Sequence, residues 1–508
     1  MKINRRKFLS SSIASVAALS ASHSTLARAW DLVPASALAS DPRRPQFHLL
    51  PARNWMNDPN GPIFWNGNYH MFFQYNPHAA VWGDMHWNHA VSPDMVHWRH
   101  LPIALAPTPG GPDADGCFSG SAVVNNGVVT FIYTGIVTSP PEQATLRDGK
   151  NNFRESQLYA TSRDPELITW TKQPAPVIAT PPPGLHVTGF RDPAPWRMGD
   201  TWYMAVGSGL EHEGGVVLLY KSSDLRNWEY LHFLARGNGK PGSETNPVDS
   251  GDMWECPDFF ALGDKHVLIY STLGKVFWQV GDLDTKEMLF HPLKTGILDF
   301  GSFYAPKTQL DKSGNRILWG WVPETRPEAE FSASGWAGLF SLPRIITLGK
   351  DNTLRFTVAG EVDALREKEQ RVALNPSQGV HLKDACGELL CTVKQGSEPF
   401  AFDLVDANAA PNAPSLLSIS TANFQDLSVD QKSLTISRAQ DEPLELHFYI
   451  DGSVIELFVN KQAMFTKRFY YPGPTAPEIG IKIAGNTAGI ERLSLWQLRP
   501  ISKDRLTT

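Results

Sequence analysis

Cysteine is nearly absent from this chain: 508 residues hold four, Cys117, Cys256, Cys386 and Cys391. So few, so scattered, make neither a disulfide framework nor a metal-ligand spacing, and no metal or cofactor is expected. Cys386 and Cys391 are near enough in sequence to pair in an oxidising compartment, and equally able to be two separate small core residues. An excess of one charge is also missing. A net charge of -6 leaves no basic footprint, which argues against nucleic acid as a partner. Past the N-terminus no run approaches the ~18 uninterrupted apolar residues of a membrane span.

What the chain has in quantity is aromatic and turn-forming residues: 16 Trp, 12 Tyr and 26 Phe beside 40 Gly and 39 Pro. That balance points to short strands joined by many turns, and the length points to two domains. The first residues form a separate signal. Arg5-Arg6-Lys7-Phe8-Leu9 opens an apolar run to about Ala21, and Ala27-Arg28-Ala29 follows. A basic start, an apolar middle and an A-x-A ending describe an export signal over residues 1–29, and the paired arginines resemble a twin-arginine signal. The protein is therefore expected to be exported, either periplasmic or secreted, with residues 30–46 as an N-terminal segment.

Between residues 48 and 345 one pattern recurs five times: a short apolar segment, a Gly/Asn/Asp turn, then an aromatic or β-branched strand. The turns are Asn66-Gly67, Asn125-Asn126-Gly127, Gly199-Asp200, Gly263-Asp264 and Ser313-Gly314-Asn315. Each reads as a β-hairpin, and five such units predict a five-bladed β-propeller over residues 47–348. A second echo, Ser-x-Asp followed by Trp, recurs at Ser92/Asp94/Trp98, Ser162/Asp164/Trp170 and Ser222/Asp224/Trp228, and reads as a structural turn with a packed indole.

The repeat gives meaning to three acids. Asp58 in Met56-Asn57-Asp58-Pro59, Asp192 in Phe190-Arg191-Asp192-Pro193 and Glu255 in Trp254-Glu255-Cys256-Pro257 precede three of the turns at what read as equivalent positions. Equivalent positions on innermost strands face the propeller axis, so three carboxyls would share one pocket. Like charges so close raise at least one pKa, which is how a proton-donating acid arises beside an ionised base or nucleophile. A calcium loop would gather several acids within about a dozen positions. Here they come one per repeat, in Trp-rich surroundings that suit a sugar better than a hard cation.

These strings, together with Phe118-Ser119-Gly120-Ser121, Glu155-Ser156-Gln157, Trp82 to Trp87, Phe303-Tyr304-Ala305-Pro306 and Ser341-Leu342-Pro343-Arg344, resemble the successive motifs of glycoside hydrolase family 32. That family holds invertases, inulinases, levanases and other β-fructosidases, and the resemblance runs from about residue 47 to 500. It implies Asp58 as nucleophile, Glu255 as acid/base and Asp192 as stabiliser of an oxocarbenium-like transition state, with Arg191 orienting it. It further implies that Asn57, Gln74, Trp82, Phe118 and Ser119 hold the fructosyl ring and that Cys256 tunes the acid. The substrate expected is a fructan or sucrose. A fructosyltransferase would carry the same motifs. Related five-bladed propellers cleave arabinan and xylan, but the string Trp55 to Gly61 argues against that chemistry; a sugar-binding propeller without activity would have lost one of the acids.

After a charged connector, placed at residues 349–370, the pattern returns to alternating strands. Leu444 to Ile450, the Asp451-Gly452 turn and Val454 to Val459 make a strong hairpin signal. Residues 371–508 are expected to form a C-terminal β-sandwich, so the fold class is all-β.

Overall fold

The computed structural model describes residues 32–508, apart from 150–151, 238–252, 372–380, 397–398, 411, 422, 424–425, 440, 472 and 486. The export signal expected at residues 1–29 lies outside the described residues. From Val33 onward the chain forms one compact unit.

Five antiparallel sheets carry the first domain, and each begins with one of the five hairpins expected from the turn residues. Their opening strands are Asn54–Trp65, Gly116–Asn125, Val187–Met198, Glu255–Leu262 and Tyr304–Leu310. Each of these adjoins the next, and the fifth adjoins the first, so they ring a common axis as the inner strands of five blades. The Ser-x-Asp turns behave as read. In all three the Asp carboxylate accepts backbone N–H groups, and the indoles of Trp98, Trp170 and Trp228 donate to the carbonyls of Met95, Leu167 and Leu225 at 3.0, 2.7 and 3.0 Å.

Every inner strand is broken by a register shift near its start: Met56/Pro59, Phe118/Gly120, Arg191/Ala194, Glu255/Asp258 and Tyr304/Lys307. Such β-bulges re-aim side chains and sharpen strand twist. They also correct the expectation of strict equivalence. Glu255 lies just before its bulge, Asp192 opens its own with φ 64°, and Asp58 is the second residue of the first blade's bulge. The three acids occupy successive offsets of one feature.

Ring closure comes from residues inserted in the fifth blade. After a helix at Glu328–Ser334, Trp336–Ala337 pairs parallel with Asn54 and Trp55, while Leu339–Phe340 pairs with Trp321 and Val322. Gly338 (φ 80°) permits this, since a Cβ there would sit 2.0 Å from the carbonyl oxygen of Met56. The fifth blade takes its fourth strand from Leu354–Val358, so the propeller runs past the boundary expected at residue 348. The connector is then a short 3-10 helix, Gly360–Leu365.

The second domain is a sandwich of a six-stranded and a five-stranded sheet over an apolar core that includes Phe402, Phe448, Ile419 and Leu457. Cys386 and Cys391 are free, buried thiols on one strand, the first packed toward the propeller and the second in the sandwich core, which decides against a disulfide. The N-terminal segment joins both domains. The Asp451 carboxylate accepts the backbone N–H groups of Gln46, Phe47 and His48 at 2.6, 2.8 and 3.0 Å.

Candidate active site

The bulges bring most of the expected residues into one hydrogen-bonded frame. Asp58 is held by neutral donors: Asn57 Nδ2 donates to Oδ1 at 3.1 Å and Ser119 Oγ to Oδ2 at 2.6 Å. The Asn57 amide is itself oriented, because Trp55 Nε1 donates to its Oδ1 at 2.8 Å. Burial and the neighbouring Asp192 raise the Asp58 carboxyl to about 6 against the downward pull of Ser119 and Asn57.

Asp192 accepts the Cys256 backbone N–H at 2.8 Å, and its own N–H donates to Thr134 Oγ1 at 3.0 Å. Burial pushes its carboxyl up, Glu255 adds to that, and Arg191 pulls it back without cancelling it. Glu255 is held by a cation and a phenol: Arg191 Nη2 donates to Oε1 at 2.7 Å and Tyr304 OH to Oε2 at 2.6 Å. The other end of the guanidinium, Nη1, donates to Glu155 Oε1 at 2.9 Å, and Glu155 Oε2 accepts the Phe190 N–H at 2.6 Å. Arg191 therefore spans a fully buried carboxylate and a partly exposed one.

Cys256, expected to tune Glu255, directs its sulfur at the two aspartates. Its sulfur lies 3.5 Å from Asp58 Oδ2 and 3.4 Å from Asp192 Oδ2, and burial among these carboxylates drives the thiol pKa far upward, so it stays neutral. Its left-handed backbone (φ 47°) turns the side chain across to the two aspartates.

Three expected sugar contacts stand outside this frame. Gln74 is buried and donates to the Cys117 carbonyl at 2.8 Å, which joins the first two blades. Phe118 packs beside Trp55, Met85 and Phe331. Trp82 is 45% exposed and meets Phe118 edge-on, at 6.0 Å between ring centroids, so it forms an open aromatic wall. Two further residues complete the frame, Glu155 and Tyr304, which lie in the family-like motifs but carry no expected role. Tyr304 lies just before the fifth bulge, in the place Glu255 holds in the fourth, and that repeat position was the available signal.

A five-bladed propeller that sets carboxyl groups of four blades, Asp58, Glu155, Asp192 and Glu255, on one axial frame has the make-up of a glycoside hydrolase. The chain matches the glycosyl hydrolases family 32 N-terminal domain over residues 48–357 and the family 32 C-terminal domain over residues 361–497, and it belongs to that family. Sucrose-6-phosphate hydrolase of Escherichia coli is 34% identical over 494 residues, with 89% of this chain and 94% of the relative covered. Raffinose invertase of Escherichia coli is 34% identical over 482 residues, covering 89% and 95%. Among solved structures, fructan 1-exohydrolase IIa from Cichorium intybus is similar at a TM-score of 0.76 and 28% identity, covering 90% of this chain and 98% of its own.

Proposed function

We propose that this chain is an exported, retaining β-fructosidase that hydrolyses terminal β-D-fructofuranosyl residues of fructans such as levan and inulin, of sucrose, or of both. The observation that carries the reading is the contrast in how two carboxyls are held. Among the described residues Asp58 is held only by the neutral donors Asn57, Ser119 and the Cys256 thiol, a carboxylate without a cationic partner and suited to nucleophilic attack. Glu255 is fixed through both oxygens by Arg191 and Tyr304 and keeps its side chain 30% exposed, as a group exchanging protons with a leaving oxygen and then with water requires.

The reaction follows as a double displacement. An Asp58 oxygen attacks the anomeric carbon while Glu255 gives its proton to the departing glycosidic oxygen; one C–O bond breaks and a fructosyl ester of Asp58 forms. Glu255, now a carboxylate, takes a proton from water as that water attacks the same carbon and frees Asp58. Two inversions retain configuration. Asp192, anchored by the Cys256 amide, accepts ring hydroxyls and opposes the positive charge of the transition state. Trp82 and Phe118 supply the apolar wall. The relatives' names supply the substrate class, and the signal expected at residues 1–29 favours unphosphorylated sugars.

The test incubates the mature protein separately with sucrose, sucrose 6-phosphate, inulin and levan and follows products in time. Fructose released from the outset, without intermediate oligosaccharides, is expected. Early oligosaccharides would mean endo-cleavage or transfer, and no cleavage of any of the four would end the hydrolase reading.

A further inference from the structure

The nucleophile's strand is braced from outside the propeller. Asn54 donates its N–H to Gly335 O at 2.7 Å, and Asn54 and Trp55 pair with Trp336 and Ala337, the residues that follow the helix Glu328–Ser334. From that helix Phe331 packs on the Trp55 indole, with ring centroids 5.8 Å apart. Trp55 in turn orients Asn57, and Asn57 holds Asp58. Whatever sets the inserted segment therefore sets the donor on the nucleophile.

Arg326 sets that segment. Its Nη1 donates to Ser334 Oγ at 3.2 Å and its Nη2 to Trp336 O at 3.3 Å, across the end of the helix. The guanidinium is held by Glu324, whose Oε2 accepts Nη2 at 2.8 Å and whose Oε1 accepts the N–H groups of Thr325 and Arg326 at 3.0 and 3.1 Å. The remaining partners of Glu324 come from the sandwich, where Arg468 Nη2 lies 3.6 Å from Oε2 and a hydroxyl donates to Oε1. That hydroxyl belongs to Tyr470, just past the sandwich strand Ala463–Arg468, and the Tyr470 ring also lies against the Arg326 guanidinium, 5.0 Å from ring centroid to Cζ. Glu324 and Arg326 are nearly inaccessible, so the clamp is not loosened by water.

We propose that the β-sandwich positions the catalytic nucleophile: Tyr470, through Glu324 and Arg326, clamps residues 328–338 against Trp55 and thereby fixes the Asn57 amide on Asp58. This rests on the reading of Asp58 as nucleophile. Tyr470 is a positioning residue and touches no substrate. Coupling between sites is carried by such contiguous packed and hydrogen-bonded groups, and spatial contiguity becomes evidence only when the far end responds.

The test compares the full-length wild type with Tyr470→Phe, Tyr471→Phe and Asp58→Asn, measuring kcat, KM, the pH profile of kcat/KM and the melting temperature. Tyr471 is the control: a neighbouring tyrosine whose buried hydroxyl has no partner among the described residues. Tyr470→Phe is expected to lower kcat about tenfold with KM little changed, the scale on which supporting hydrogen bonds act. The acidic limb of its profile is expected to move upward, because a slackened Asn57 no longer favours the Asp58 carboxylate. Tyr471→Phe is expected to retain the wild-type kcat and limb. If Tyr470→Phe lacks either the fall in kcat or the shifted limb, the sandwich is a brace for stability alone and the proposal is overturned. If instead Asp58→Asn retains turnover, it is the nucleophile reading that fails.

Discussion

Two buried carboxylate clusters lie in this protein and behave in opposite ways. One is the axial frame of Asp58, Asp192, Glu255 and Glu155. The other lies where propeller, sandwich and N-terminal segment meet, and holds Asp299, Asp451 and Glu456. At this junction every carboxylate has strong donors. Arg344 donates to Asp299 Oδ2 at 2.9 Å and to Glu456 Oε2 from Nε and Nη2 at 3.0 and 2.8 Å. His48 lies between Asp451 Oδ2 (2.8 Å from Nδ1) and Glu456 Oε1 (3.0 Å from Nε2), so its ring must carry both protons to satisfy both carboxylates. Burial pushes Glu456 up, but Arg344 and His48 outweigh it and the carboxyl sits below its ordinary range. At the axis, Arg191 is shared by Glu155 and Glu255, and Asp58 has only neutral donors among the described residues, so burial wins and its carboxyl rises to about 6. Gathered carboxylates thus make a satisfied network in one place and a stored electrostatic cost in the other, and the unsatisfied one is the place for chemistry.

The comparison breaks most visibly at the axis. Asp58→Asn and Glu255→Gln should each lose at least roughly a thousandfold in kcat while staying folded, measured with an unsubstituted substrate. Yet Asp58→Asn should also melt higher than wild type at pH 7, since it removes a buried charge lacking a cationic partner. Calorimetry that found it destabilised would show the site to be compensated after all. At the junction the sign reverses. Arg344→Met leaves Asp299 without a cation and Glu456 with His48 alone, and should cost about 3–5 kcal/mol of stability, read from denaturant unfolding, with kcat per folded molecule unchanged.

Acidity separates the clusters next. Burial lowers the His48 pKa, but its bonds to Asp451 and Glu456 more than reverse this and raise it to about 8. Its contribution is present in full below the unfolded value of about 6.5 and is lost as pH rises through about 8, an effect on the order of 2 kcal/mol. Stability should therefore fall between pH 6.5 and 9 in wild type, and this slope should flatten in His48→Gln. At the axis kcat/KM should instead fall as pH drops through about 6, where Asp58 takes a proton. The smallest change expected is in Cys256→Ala, which removes the thiol between Asp58 and Asp192 and should lower kcat by about tenfold or less, with stability nearly unchanged.

The two clusters were not equally legible in the sequence. The axial acids could be found because a repeat placed each in its own blade beside a proline and a turn, and local turn chemistry marks all five hairpins. What the repeat could not give is the bulge, because register shifts depend on the partner strand; this is why Asp58, Asp192 and Glu255 read as equivalent and why the approach of the Cys256 sulfur to Asp58 and Asp192 is not visible in the sequence. The fourth strand of the last blade, Leu354–Val358, was hidden by the charged turn Lys350-Asp351-Asn352 before it. The junction left no local trace. Asp451 already had an explanation as the residue of an Asp-Gly turn, and its partner His48 lies 403 positions away.

A double displacement requires Asp58 to become covalently fructosylated. Glu255→Gln given a fructosyl donor whose leaving group needs no proton should still form the ester but lack the base that hydrolyses it. Mass spectrometry of the quenched and digested variant is predicted to find one fructosyl unit on the peptide carrying Asp58. No adduct, or an adduct on the peptide of Asp192, would rule out Asp58 as the nucleophile.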